Sequence, residues 1–330
     1  MPQTRTSSSA GSRLVRLTQF APGILLVMLA ALFAAINPVV LSPANVINII
    51  AQATPIAILA VGAMVVLVSG GIDMSAAFGV AFCSTLIASR IDAGDGLVLS
   101  LLIGLFVMVG IGFLIGLLVA HARITPFVAT LAAMIALQGA TLAVAQKGVL
   151  ILKEPTLRWI GIERSWGIPN AIFVTAVVLV LALVMMRRTR FGLRTYAVGS
   201  DEGAAELAGV PVRRQLVLVY VVSGIFVFLT AVLMISRVPV VTPNVGGVPL
   251  LLDAIAAAVL GGTSVFGGRG TVPGVIVGAL IVSLVTTALR VFGTDPSSIE
   301  LWKGVIIIAA LIGDTVITRM RTRALMEARA

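Results

Sequence analysis

Long apolar runs alternate with short polar or glycine-rich breaks along the whole 330-residue chain. The runs fall near 21–36, 44–68, 74–89, 97–119, 125–145, 169–186, 215–236, 250–266, 270–289 and 299–317. Each is close to the roughly 20 residues that an α-helix needs to cross a bilayer. The pattern predicts an all-α integral membrane protein with about ten transmembrane helices. The run at 74–89 is short and the one at 250–266 is Gly-rich at its end. For these two, a broken or re-entrant segment lining a cavity is the alternative to a full span.

The tails are polar. Residues 1–20 carry Arg5, Arg13, Arg16 and a serine cluster. The run from Ala21 to Ile36 is read as an uncleaved first helix rather than a signal peptide, because it is long for an h-region and a second run starts almost at once. The chain divides into an N-terminal tail (1–20), one membrane domain (21–318) and a C-terminal tail (319–330), with no room for a large soluble domain.

Composition agrees. Hydrophobic residues make up 59% and charged residues only 11%, against about a quarter charged in a soluble domain. The mean hydropathy is +1.14. The net charge of +10 would suggest nucleic acid in a soluble protein. Here Lys and Arg cluster in short breaks without interleaved aromatics, as in the cytoplasmic loops of membrane proteins. With the N-terminus inside, 15 of the 23 basic residues face the cytoplasm and 7 face outward, Lys303 lying within the last run. Both termini are therefore placed in the cytoplasm. Trp159 and Trp166 in the long outer loop suit an interfacial anchor.

The charge-bearing chemistry is sparse. Cys83 is the single cysteine and His121 the single histidine, which excludes an intrachain disulfide and the usual zinc sites. No lysine stands in a Gly-Lys-Ser/Thr phosphate loop, so the chain is not expected to hydrolyse ATP. Asp73 and Asp253 are the acids set against apolar runs, where a carboxylate is costly. Each is also readable as a helix cap, Asp73 before the run that follows it and Asp253 at the outer start of its helix. Asn45, Asn48 and Gln52 share a helix face. That face suits either a passing hydroxylated solute or hydrogen bonds between helices. Gln138, Thr130, Ser223 and Asn244 are further uncharged candidates. Gly112-x-x-x-Gly116 and Gly274-x-x-x-Gly278 are read as packing motifs. Val65–Gly79 and Ala256–Gly270 echo each other faintly, each an apolar run ending in Gly-Gly and a small polar residue.

The break at 187–214 is the most charged stretch. Ser200 or Asp201 is placed to cap a short helix over 200–210, with Glu202 in its first turn. Gly209 ends it and Pro211 prevents its continuation. Ala204, Ala205, Leu207 and Ala208 are too small and apolar for a purely solvated helix, so it is read as entering a groove on another protein, the alternative being a helix resting on the membrane surface.

The segment Arg188-Thr-Arg-Phe-Gly192…Ala197-Val-Gly-Ser-Asp-Glu-Gly-Ala-Ala-Glu-Leu-Ala-Gly-Val210 resembles the coupling loop of the ribose-type sugar ABC importer permeases. Leu67-Val-Ser-Gly-Gly-Ile-Asp-Met-Ser75, Thr125-Pro-Phe-Val-Ala-Thr-Leu131 and Leu252–Ser264 followed by Gly267–Thr271 agree with that family in order and spacing. The chain departs from it at Ser200 or Asp201, at Ala76-Ala77-Phe78 and at Thr242-Pro-Asn-Val-Gly-Gly. The resemblance covers roughly residues 40–315 and implies a bacterial inner-membrane permease of ten helices, paired with an identical or paralogous second permease. It implies that ATP and magnesium are bound by a separate ATPase subunit, and that a periplasmic or lipid-anchored sugar-binding protein delivers the solute. No cofactor is expected on this chain. Gly199, Asp201, Glu202, Ala204, Ala205 and Gly209 are then the candidate ATPase-coupling residues. Asn45, Asn48, Gln52, Asp73, Gln138, Asn244 and Asp253 are the candidate pathway residues. An ion-coupled secondary transporter is the main alternative, though the spans offer few ionisable groups for it. A membrane enzyme would need clustered acids, and the acids here are scattered.

Overall fold

The computed structural model describes residues 21–145, 148, 150–152, 154–238, 240–295, 298–309 and 312. The expected tails at 1–20 and 319–330 lie outside the described residues. The helices are α1 (Ala21–Ile36), α2 (Pro43–Val68), α3 (Ala76–Asp92), α4 (Leu97–Ala120), α5 (Pro126–Val144), α6 (Pro155–Gly161), α7 (Asn170–Arg188), α8 (Arg190–Ser200), α9 (Glu202–Leu207), α10 (Val212–Arg237), α11 (Gly247–Leu260) and α12 (Val272–Val291). A last helix, α13, covers 298–309. Two small antiparallel ribbons, Leu150–Ile151 with Val240–Val241 and Arg164–Ser165 with Ile168–Pro169, complete the secondary structure.

Among the described residues, α2, α4, α5, α7, α10 and α12 are long and apolar enough to cross a membrane, and α1 and α11 are shorter apolar helices. Large apolar side chains such as Phe106, Leu114, Ile135 and Val177 face outward from these helices. Water would not tolerate so continuous an apolar surface, whereas hydrocarbon does.

The post of the bundle is α2, buried along most of its length and packed by α7, α10, α11 and α12. Pro55 sits inside it. Proline has no N–H, so the carbonyl of Ala51 loses its helical partner. That carbonyl instead accepts from Arg237 Nη1 at 2.7 Å and from Thr54 Oγ1 at 2.7 Å.

Glycines set the closest helix approaches. A Cβ on Gly112 or Gly116 would overlap the backbone of Tyr220 or Val217 on α10, and one on Gly224 would overlap the Met108 carbonyl on α4. Gly274 lies equally tight against Gly261, the residue that follows α11, and Gly278 against Ala257 of α11. Both G-x-x-x-G motifs are thus packing surfaces, as the sequence indicates, because only a missing side chain lets backbones meet.

Connections gather at two ends. The segments 69–75, 121–125, 187–214 and 261–271 meet at one end, where Arg123 pairs with Glu202 and Gly268 N donates to the Val68 carbonyl. The described residues of the segments 37–42, 145–169, 238–246 and 292–298 sit at the other, where Asn170 Nδ2 donates to the Trp159 carbonyl.

Three boundaries differ from the sequence reading. The third helix begins at Ala76, not 74, because 69–75 is an irregular connection. The eighth apolar run forms Gly247–Leu260, and its Gly-rich remainder is loop. The segment at 187–200, read as loop, is largely the helix α8. Its charge hid it, since only Gly192, Thr195 and Val198 are buried.

Candidate functional site

The end that gathers α8 and α9 carries the most elaborate architecture. The chain reverses after α7 at Thr189, whose hydroxyl donates to the Met185 carbonyl at 2.6 Å and caps Gly192 N–H of α8. A side chain at 192 would overlap the Met186 carbonyl, so glycine is required for so sharp a turn. Gln215, at the start of α10, reaches back into α8. Its Nε2 donates to Thr195 Oγ1 at 2.8 Å and to the Phe191 carbonyl at 3.0 Å. A buried amide with both donors engaged fixes the angle between the two helices.

From α8 three contacts run to the neighbouring loops. The Tyr196 hydroxyl donates to the Gly270 carbonyl at 2.7 Å. Burial raises the pKa of this phenol, Arg187 opposing in part, so it remains a protonated donor. Gly199 lies directly on the Val68 carbonyl, and a Cβ there would overlap it. Gly267 lies as tightly on the Gly199 carbonyl, at φ 92°. One short helix thus touches both the end of α2 and the loop between α11 and α12.

Those two loops are built alike. After α2, Gly70 (φ 87°) donates to the Leu67 carbonyl and Gly71 to Val66. After α11, Gly262 (φ 85°) donates to Val259 and Thr263 to Ala258. Both are Schellman endings, in which a left-handed glycine lets two N–H groups satisfy the last carbonyls. The echo between Val65–Gly79 and Ala256–Gly270 is therefore a shared helix-ending geometry, and the two copies touch, because Gly268 donates to Val68.

The helix α9 follows. Asp201 is its N-cap, accepting from Ala204 N–H at 2.9 Å. Ser200 is not the cap; it closes α8. Gly209 (φ 79°) gives α9 another Schellman ending, with Gly209 N–H on the Glu206 carbonyl and Val210 N–H on Ala205. The helix spans 202–207, shorter than the expected 200–210. Ala205 does not face outward. It is buried with Val198 and Val212, so the outward apolar surface is Ala204, Leu207 and Ala208. Leu207 is 92% exposed, and Phe266 in the adjoining loop is 95% exposed. Glu202 pairs with Arg123 at 2.9 Å across the connection from α4.

The candidate pathway residues fall into separate places. Asn45 is spent locally, its Nδ2 donating to the Val39 carbonyl. Gln52 accepts from Arg290 Nη1 at 3.3 Å. Asn48, Gln138 and Asn244 are exposed. Asp73 is buried but is not the cap of α3. Its Oδ1 accepts from the N–H and hydroxyl of Ser75, and its Oδ2 accepts from Ser223 Oγ on α10 at 2.7 Å. Asp253 does not start its helix. It lies within α11 and pairs with Lys303 at 2.7 Å, which also holds Glu300. Ser223, one of the uncharged candidates, is thus the partner of Asp73, whereas Tyr196, Gln215 and Lys303 carried no role in the sequence reading. A polar residue within an apolar run was the available signal for Ser223 and Lys303.

Residues 45–313 match the family described as the branched-chain amino acid transport system permease component. The chain belongs to that permease family. The ribose import permease of Bacillus subtilis is 32% identical over 298 residues, covering 90% of this chain and 92% of the relative. The ribose import permease of Escherichia coli K12 is 31% identical, covering 88% and 92%. The galactofuranose transporter permease of the same strain is 33% identical, covering 82% and 79%. The protein is therefore a transport permease subunit and not an enzyme, and the end built on α8 and α9 belongs to a membrane permease.

Proposed function

We propose that this permease forms the translocation path of an ATP-driven importer for a small sugar or sugar-like solute, working by alternating access in the bacterial cytoplasmic membrane. The solute class follows from the ribose and galactofuranose relatives. In this reading ten helices cross the bilayer and both termini are cytoplasmic. The distribution of basic residues and the sorting of connections to two ends support it.

One observation carries the mechanism. A rigidly capped two-turn helix presents Leu207 outward, and its neighbour α8 is tied to the loops after α2 and after α11. An ATPase subunit seated on Leu207 and Phe266 has a short mechanical route to both helix-ending loops. ATP and magnesium belong to that subunit. A second permease subunit, identical or paralogous, and an external sugar-binding protein complete the transporter.

The test is co-purification from native membranes in mild detergent. Tagged wild-type protein brings an ATPase subunit with it, and Leu207→Asp loses that subunit while the permease stays folded. If no ATPase accompanies the wild type, and uptake survives ATP depletion but stops with a protonophore, ion coupling takes the place of this reading. Asp73, a buried carboxylate held by hydroxyls, would then be the first group to replace.

A further inference from the structure

A groove of about 500 Å³ opens beside the coupling segment, between the end of α4 and the start of α10. Its floor is Phe113, Leu117 and Val217, and its rim is His121, Glu206, Arg213 and Arg214, with the 210–212 backbone turn closing one side. We propose that this groove binds one anionic phospholipid of the inner leaflet, its phosphate against Arg213 and Arg214 and its upper acyl chain on the floor. The proposal rests on the cytoplasmic placement of this end given above.

Depth selects a lipid over a protein. Along α4, Phe113 lies seven residues and Leu117 three residues before Ala120, and Val217 lies five residues into α10, which places the floor about 11 Å, about 5 Å and about 8 Å inside the helix ends. A cytoplasmic subunit does not reach that level of a spanning helix, whereas an acyl chain already occupies it. Phe113 is 46% exposed, a ring left for something apolar to cover.

Charge selects an anionic headgroup. Arg213 and Arg214 are exposed and neither belongs to an ion pair among the described residues, whereas Arg123, at the same end of the bundle, is matched by Glu202. Glu206 is the single acid on the rim, so the arginines outnumber it. As an acceptor, it suits the hydroxyls of a glycerol headgroup and disfavours a second phosphate. Basic pockets between spanning helices at the cytoplasmic side attract such lipids, with Arg stems lying along apolar surface and guanidinium groups at headgroup level.

The experiment uses the purified full-length permease, reconstituted in nanodiscs of phosphatidylcholine with increasing phosphatidylglycerol, then released into detergent for native mass spectrometry. Neither ATP nor solute is involved, so the result is independent of the importer reading. Wild type is expected to retain one phosphatidylglycerol in preference to phosphatidylcholine by about tenfold. Arg213→Gln with Arg214→Gln should abolish that preference. Leu117→Trp, which fills the floor and leaves the charge intact, should lower retention of the lipid as well. Equal retention of both lipids by wild type overturns the proposal. So does unchanged retention by the double glutamine variant, even if that variant sheds an ATPase subunit, for the arginines would then serve a protein interface.

Discussion

Lys303→Met tests whether Asp253 serves transport or holds the bundle. Lys303 Nζ lies 2.7 Å from Asp253 Oδ1 and 2.7 Å from Glu300 Oε2, with side-chain exposures of 5%, 15% and 59% respectively. These exposures predict an asymmetry. Removing the lysine strands Asp253 in a largely buried place without its cation, which costs about 3–5 kcal/mol. Asp253→Asn leaves the lysine with Glu300, close to water, and costs about 1–3 kcal/mol. Replacing both, as Lys303→Met with Asp253→Leu, removes the buried charges together and should restore most of the stability, since apolar substitutes for a buried pair are often neutral or better. The assay is thermal unfolding of the detergent-solubilised permease, followed by recovery of the monodisperse peak, with solute uptake measured on the same set. The double variant should unfold near the wild type and still transport. If Lys303→Met unfolds like wild type, or the double variant is as unstable as the two losses added, the ion pair is not the link between α11 and α13. A stable double variant that no longer transports would return Asp253 to the solute pathway.

Three further outcomes follow from the same geometry. Gly199→Ala forces a methyl group onto the Val68 carbonyl, an overpacking of about 1–3 kcal/mol; in the reconstituted transporter, ATP hydrolysis should persist while uptake per ATP falls, and full uptake would refute the contact's role. Tyr196→Phe removes one donor to the Gly270 carbonyl, lowering stability by about 1 kcal/mol and the coupling ratio with it, whereas a change in solute affinity alone would argue against this assignment. Ser223→Ala leaves Asp73 Oδ2 without its donor from α10, costing about 1–3 kcal/mol in thermal unfolding, and Asp73→Asn should behave similarly if the carboxylate is structural.

Helix existence was legible because the bilayer simplifies the code. Each apolar run coincides with a helix, the last only in part within the described residues. Turn chemistry was legible too. Gly209 and Pro211 end α9 as expected, and Gly70 and Gly262 close the two echoing helices through a left-handed conformation that other residues rarely adopt. Family membership was readable from four ordered motifs.

What the sequence could not decide is which polar group meets which. Asp73 and Ser223 are 150 positions apart, and Tyr196 is 74 from Gly270. In an apolar surround a carboxylate must find donors, yet composition does not say whether a solute, a neighbouring helix or a cap supplies them. Among the candidate pathway residues, Asn45, Gln52, Asp73 and Asp253 each have a partner inside the chain that spacing and composition did not name. The helix α8 was missed for a related reason. Its charged face resembles a solvated loop, and only packing on Gln215, Val68 and Gly270 makes it a fixed element. Local sequence determined that the apolar runs are helices and how several of them end, since a helix ending depends on backbone groups a few residues apart. Only the tertiary structure decided which of their polar side chains are occupied, since that depends on helices far apart in sequence brought within hydrogen-bond distance.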